Sequence, residues 1–218
     1  MERSKSFTTQ ALIGIAAITL STACSTPTTQ NSAGNSMPEM DHSTMNHSSR
    51  AMDLDQADAN FDLRFIDAMT PHHQGAVEMA KETQQKSKRP EIKKLAAEII
   101  QAQNQEIGEM KQWRQAWYPN ASSTPMAYDA KMGHMMPMTT EQMKSMMMSL
   151  DLGAADDQFD LRFINAMIPH HEGAVTMAKD ALNKSQRPEI KKLSQAIVTS
   201  QQQEIAQMQQ WRKAWYNQ

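Results

Sequence analysis

The chain has 218 residues with 22 basic and 24 acidic side chains. It therefore lacks the basic excess that a nucleic-acid surface needs. Sulfur is present almost entirely as thioether, 20 methionines against one cysteine, which leaves no thiolate set for structural zinc or a blue-copper centre.

Residues 1–23 carry Arg3 and Lys5, then the apolar run "ALIGIAAITL", then "STAC". A basic start, a short apolar stretch and a small-residue cleavage site form an export signal. The run is about half of what a bilayer crossing requires. Cys24 follows Ala23 as in a lipoprotein attachment site, although Ser21 stands where that box usually has Leu. The expected location is the periplasm or the extracellular space, with Cys24 as a candidate lipid anchor. Outside the cytosol, methionine is the soft donor that has no proton to lose and forms no disulfide.

Residues 24–57 form a polar tail, expected to be disordered, with Met37, Met40, His42, Met45 and His47 inside "MPEMDHSTMNH". A disordered tail has no core to fill, so packing does not explain its methionines. A His/Met tract of this kind is the composition of a metal-gathering arm.

The rest of the chain is organised by a duplication. Residues 58–118 align without a gap with residues 156–216, and 39 of the 61 positions are identical. In the first copy, Phe61, Phe65, Met69, His72, Ala76 and Met79 recur every three or four residues, one face of a helix. A second helix opens at "RPEIKKL", where Pro90 suits the first turn and Glu91 the positive end of the dipole. Its stripe runs Ile92, Ala96, Ile99, Gln103, Glu106, Met110, Trp113 and Trp117. The short polar "QQKSKR" between them predicts an antiparallel hairpin. Two such hairpins (58–118 and 156–218) would pair their apolar faces into one all-α four-helix bundle. The linker at 119–155 would be a long Met-rich segment, functional or disordered.

The segment "MTPHHQGAVEMA" and its copy "MIPHHEGAVTMA" carry the chemistry. Met69, His72, His73 and Met79 precede a polar patch on the facing helix, Gln103 and Glu106, with Met110 one turn on. The second copy offers Met167, His170, His171, Met177, Gln201, Glu204 and Met208. His72 is expected to lie opposite residues 103–106. Imidazole and thioether together point to copper: thioether favours the monovalent ion and imidazole also accepts the divalent one, with silver(I) as a mimic. The linker adds Met132, His134, Met135, Met136 and Met138, also expected to bind metal. Met143 and "MMM" at 146–148 could instead be the apolar face of a short helix. The plainer reading is hydrogen-bonded core histidines and methionine packing. Pro71 and Pro169 either bend a helix through loss of the donor to the Asp67 and Asn165 carbonyls, or open a new one. Thr70 could cap such a new helix and Ile168 could not, which favours the bend.

The "PHHxGAVxMA" motif with its downstream "QxEIxxMxxW" resembles a bacterial ferritin-like family catalogued as a domain of unknown function. The resemblance implies a helical bundle that binds copper outside the cytoplasm and contributes to copper tolerance, and it points to His72, His73, Met79, Glu106, Met110 and their partners in the second copy. No catalytic residue is expected, and the partners would be copper ions and a copper efflux or sensor protein. A ferritin-like metal-dependent oxidase is the competing reading, weakened because neither copy has Glu three residues before its histidines. A purely structural helical interaction module is the third.

Overall fold

The computed structural model describes Met52 and residues 54–218. The export signal, Cys24 and the tail donors Met37, Met40, His42, Met45 and His47 lie outside the described residues. In chain order the elements are α1 (Phe61–Lys86), α2 (Pro90–Trp117), β1 (Met126–Asp129), β2 (His134–Pro137), α3 (Thr140–Met147), α4 (Phe159–Lys184) and α5 (Pro188–Tyr216). The four long helices are those read from the duplication, and the class is all-α. Pro90 and Pro188 open α2 and α5, each with a glutamate in the first turn. Pro71 and Pro169 sit inside unbroken helices, so neither starts a new one.

Neither hairpin has a core of its own. Phe61, Phe65 and Met69 of α1 share one apolar cluster with Ala174, Met177 and Ala178 of α4 and Ile190, Leu193 and Ile197 of α5. In the reciprocal cluster, Phe159, Phe163 and Met167 of α4 meet Ala76, Met79 and Ala80 of α1 and Ile92, Leu95 and Ile99 of α2. Each large apolar side chain removed from water contributes about 1.5–3 kcal/mol, so the copies stabilise each other by interlocking.

The tryptophans read as the end of a helical stripe form a clasp. Trp113 stacks on Trp117 and Trp211 on Trp215, with ring centroids 5.3 and 5.1 Å apart. Arg187 from the second copy lies 4.1 Å over Trp117 and 3.4 Å from Asp62, while Arg89 lies 4.3 Å over Trp215 and 3.5 Å from Asp160. A guanidinium satisfies a ring face and a carboxylate together, which is why "RPEIKKL" begins with arginine in both copies.

The expectation of a long irregular linker at 119–155 is corrected. β1 and β2 pair antiparallel with Met126 opposite Pro137 and Asp129 opposite His134. Asp129 Oδ1 accepts from the backbone of Lys131 and Met132, and Gly133 takes the positive φ of 73° that closes the turn. Thr139 and Gln142 form a reciprocal capping box that starts α3. Asp67, buried on α1, accepts from the Met126 backbone at 2.8 Å and pairs with Arg114, which ties the linker to the bundle. Burial raises the Asp67 carboxyl above its usual range, and the Arg114 bond opposes that rise.

The tail boundary at residue 57 is corrected as well, because Met52 and Leu54 are buried in the first cluster. Arg64 is the cause. It lies inside the bundle and donates to the Leu54 carbonyl at 2.8 Å, the Gln56 carbonyl at 2.5 Å and Asp58 Oδ1 at 2.8 Å. Arg162 does the same for Leu152, Ala154 and Asp156. Charged hydrogen bonds of this kind contribute about 1.5–3 kcal/mol each against a missing partner. Arg64→Met should therefore lower stability by a few kcal/mol, about the range for a broken buried network. Amide hydrogen exchange at residues 54–58 should accelerate ahead of the rest of the chain.

Candidate metal centre

The paired histidines of the two copies do different jobs. Adjacent residues on a helix point about 100° apart, so His72 and His73 face different neighbours. His73, not His72 as the stripe implied, meets Glu106: its Nε2 donates to Glu106 Oε2 at 2.7 Å. His171 bonds Glu204 in the same way at 2.5 Å. His72 instead faces His170 of the other copy, with ring centroids 3.9 Å apart. The centroids of His72 and His73 are 6.4 Å apart and those of His170 and His171 are 6.3 Å apart. Four imidazoles thus run across the interface of α1 and α4 in the order His73, His72, His170, His171, with a carboxylate at each end.

All four rings are buried, whereas the Glu106 and Glu204 side chains keep 16 and 19% of their exposure. The carboxylates accept from Nε2, so the Nδ1 of either ring is the only nitrogen left free to present a lone pair. His170 Nε2 donates to the Met147 carbonyl at 3.1 Å, which places its lone pair on Nδ1 too. None of these Nδ1 atoms has a hydrogen-bond partner, and His72 has a partner for neither nitrogen. Gln103 and Gln201 Oε1, buried on α2 and α5, are likewise unpartnered. An orphaned buried polar atom costs about 1–3 kcal/mol, so the fold carries a group of bare donor atoms at its own expense. Among the described residues, no three His, Cys, Asp or Glu side chains are grouped to hold an ion. The available set is imidazole supplemented by thioether, a soft set.

Of the methionines expected at the site, all six in the repeats are buried. They divide between the copies: Met69 and Met110 share a cluster with Met177, and Met79 shares one with Met167 and Met208. The stripe thus spreads its two methionines over two cross-copy sets. Thr70 Oγ1 donates to Met110 Sδ at 3.9 Å. In the linker, Met138 is core and Met135 Sδ accepts from Arg64 at 3.5 Å, whereas Met132, His134 and Met136 are exposed on the β-hairpin. His134 and Met136, two apart on one strand, share a face.

Met52 and the two glycines of "HHxGAV" also border the histidines, although neither carries a sequence pattern that marks a ligand. A Cβ on Gly75 would meet the Met147 carbonyl oxygen at 1.8 Å. One on Gly173 would lie 3.1 Å from His72 Nε2 and 3.4 Å from Met52 Sδ. The repeated glycine one turn after the proline was the available signal, since glycine in a helix interior usually marks a close approach.

Burial holds the His72 ring well below its ordinary 6.5, and the neighbouring His170, His73 and His171 add to that. Burial and then His171 push His170 down to about 3, against an upward pull from the Met147 carbonyl. Both rings stay neutral in the folded protein while the unfolded chain takes up protons below pH 6.5. Stability of the metal-free protein is thus full above pH 6.5 and falls on acidification toward pH 3, by up to about 1.4 kcal/mol per pH unit for each histidine. Urea denaturation at pH 7 and pH 5 checks this, and the difference should shrink when both rings are replaced.

The fold and its centre define a duplicated four-helix bundle with buried, facing histidines. The family described as "Domain of unknown function (DUF305)" matches residues 16–114 and 62–212. The chain belongs to this family. Among solved structures, CopM in its Cu(II)-bound form is 44% identical, covering 71% of this chain and 97% of that one with a TM-score of 0.57. CopM in its Cu(I)-bound form is 41% identical over the same shares, with a TM-score of 0.56. A putative secreted protein of Streptomyces coelicolor is 32% identical over 67% of this chain and 87% of that one, with a TM-score of 0.50. An uncharacterized protein of Acanthamoeba polyphaga mimivirus is 47% identical over 49 residues, which span 32% of its length.

Proposed function

We propose that this chain is a copper-binding, non-enzymatic protein that works outside the cytoplasm, sequestering copper or handing it on in copper tolerance. The observation that carries the reading is the pair of buried, facing imidazoles of His72 and His170, with three of their four ring nitrogens lacking a partner. Support comes from CopM, solved with Cu(I), Cu(II) and silver bound. Copper is the cargo. Exposed Met132, His134 and Met136, with the tail donors Met37, Met40, His42, Met45 and His47, take it from solution as a labile thioether–imidazole set. The facing pair of His72 and His170 holds it. The carboxylates keep the outer rings in one tautomer and reach toward solvent, the route by which a cation exchanges. A copper efflux or sensor protein would receive the ion, and the leader with Cys24 would place the chain in the periplasm or on a membrane surface.

Binding to the native state alone must stabilise it, by about 2.7 kcal/mol at a hundredfold excess over Kd. Calorimetric unfolding of the exported chain with and without one equivalent of Cu(I) or Cu(II) tests the proposal. A raised Tm for either ion supports it, and an unchanged Tm with both refutes it. Cell fractionation and the mass of the mature N-terminus test the location.

A further inference from the structure

The arginine near the end of each second helix, Arg114 on α2 and Arg212 on α5, holds the same place in the duplication but meets a different partner. In the first copy the partner is a carboxylate on the neighbouring helix. Arg114 Nε donates to Asp67 Oδ1 at 2.5 Å, while Nη2 donates to Asp67 Oδ2 at 3.1 Å and to the Ser122 carbonyl at 2.7 Å. β1 and α3 pack over this side of α1, and Asp67 and Pro71 are buried. In the second copy Asn165 stands where the aspartate was. Arg212 Nη1 donates to Asn165 Oδ1 at 3.3 Å, and Nε is enclosed without a hydrogen-bond partner. Among the described residues no carboxylate pairs with this guanidinium. The face is open here, with Asn165 and Arg212 half-buried and Pro169 exposed.

From this difference we infer that Arg212, with Asn165 beside it, is a binding site for a carboxylate group brought by another molecule, whether a small carboxylate anion or an acidic side chain on an extended protein segment. A guanidinium keeps its charge at any ordinary pH and offers a planar fork of donors that matches a carboxylate. Asparagine occupies the space of aspartate without its charge, so the fork is not neutralised from within the chain. The Asn165 amide also adds N–H donors, where the ionised Asp67 offers acceptors alone. The first copy displays the arrangement completed, with a carboxylate on one side of the guanidinium and a main-chain carbonyl on Nη2. Because Nε of Arg212 is enclosed, a ligand approaches the Nη edge, the side that holds the Ser122 carbonyl in the first copy. No thioether or imidazole takes part, so the site stands apart from the copper-binding reading.

The test is a titration of the full chain, metal-free and labelled with 15N in its arginine side chains, followed at the Nε–H resonances. Enclosure slows exchange of the Arg212 Nε proton, and Arg212→Lys assigns its resonance by absence. The probes are acetate, the peptide acetyl-Ser-Thr-Asp-Thr-Ser-amide, and the same peptide with asparagine for aspartate. Chloride at equal ionic strength is the reference. The expected result is a saturating shift of the Arg212 resonance with acetate and with the aspartate peptide, while Arg114 stays in place. Saturation at a lower concentration of the peptide than of acetate assigns the ligand to a protein segment, and equal concentrations assign it to the carboxylate group alone. Asn165→Asp, which restores the internal partner, should carry the Arg212 resonance toward that of Arg114 and abolish its response to both probes. The inference is overturned if no saturating shift occurs, or if chloride or the asparagine peptide moves the resonance as far as the carboxylates do. An Asn165→Asp variant that responds like the wild type overturns it too.

Discussion

Replacing both inner histidines by leucine, His72→Leu with His170→Leu, should raise the stability of the metal-free protein and abolish its stabilisation by copper. The two rings face each other at 3.9 Å between centroids, and three of their nitrogens are buried without partners. Leucine removes those orphans and keeps apolar volume where the rings were. Each orphan removed returns about 1–3 kcal/mol, against about 1 kcal/mol of altered packing. The His170 bond to the Met147 carbonyl is lost, which subtracts roughly the worth of one hydrogen bond. A net gain of about 1–7 kcal/mol follows, or a rise of at least a few degrees in Tm for a chain of this size, about 2–4 °C per kcal/mol. Core histidines kept only for packing behave in the opposite way, because their removal destabilises. Thermal unfolding of wild type and double variant, each with and without copper, distinguishes the two. His73→Leu is the internal control. That ring bonds Glu106 at 2.7 Å, and its loss strands a carboxylate that keeps only 16% of its exposure, so stability should fall.

Gly75→Ala should be among the most damaging single-methyl additions in the molecule. Its Cβ would lie 1.8 Å from a backbone oxygen and 2.7 Å from the carbonyl carbon of Met147, atoms that no rotamer change can move aside. The end of α3 must retreat from α1, which breaks the His170 bond to Met147 and loosens Met146 in the core. Overpacking of this kind costs about 1–3 kcal/mol, occasionally more. Gly108→Ala on α2 is the contrast, since nothing lies within 4 Å of its Cβ position. There alanine should stabilise by roughly 0.5–1 kcal/mol through helix propensity and a less flexible unfolded chain. Chemical denaturation of the two variants checks the signs, and hydrogen exchange at Thr140–Met147 should accelerate in Gly75→Ala alone.

The periodicity of each copy is a local property, and it was legible: the long helices, their proline starts and the burial of Met69, His72, Met79 and Met110 all follow from spacing within one helix. What touches across the copies was not. The stripe places His72 toward Glu106, but α1 is covered on two sides, by its own hairpin partner and by α4, and a single stripe cannot divide neighbours between them. Hence His73 takes the carboxylate and His72 takes the other copy. The same limit concealed the Arg89 and Arg187 clasps on Trp215 and Trp117, which pair residues far apart in sequence. The linker was misjudged for another reason. Its Met and Thr content resembles low complexity, yet "TTEQ" carries a capping box and "DAKMG" a tight turn, both readable from turn chemistry. Met52 could not be found from composition, because only the Arg64 bonds to residues 54–58 bring it inside.

Anomalous diffraction at the copper edge, from crystals of the mature chain grown with copper, addresses the central claim most directly. A copper peak is expected within bonding reach of the facing His72 and His170 rings. Peaks confined to exposed Met132, His134 and Met136, with none beside the buried pair, would contradict it.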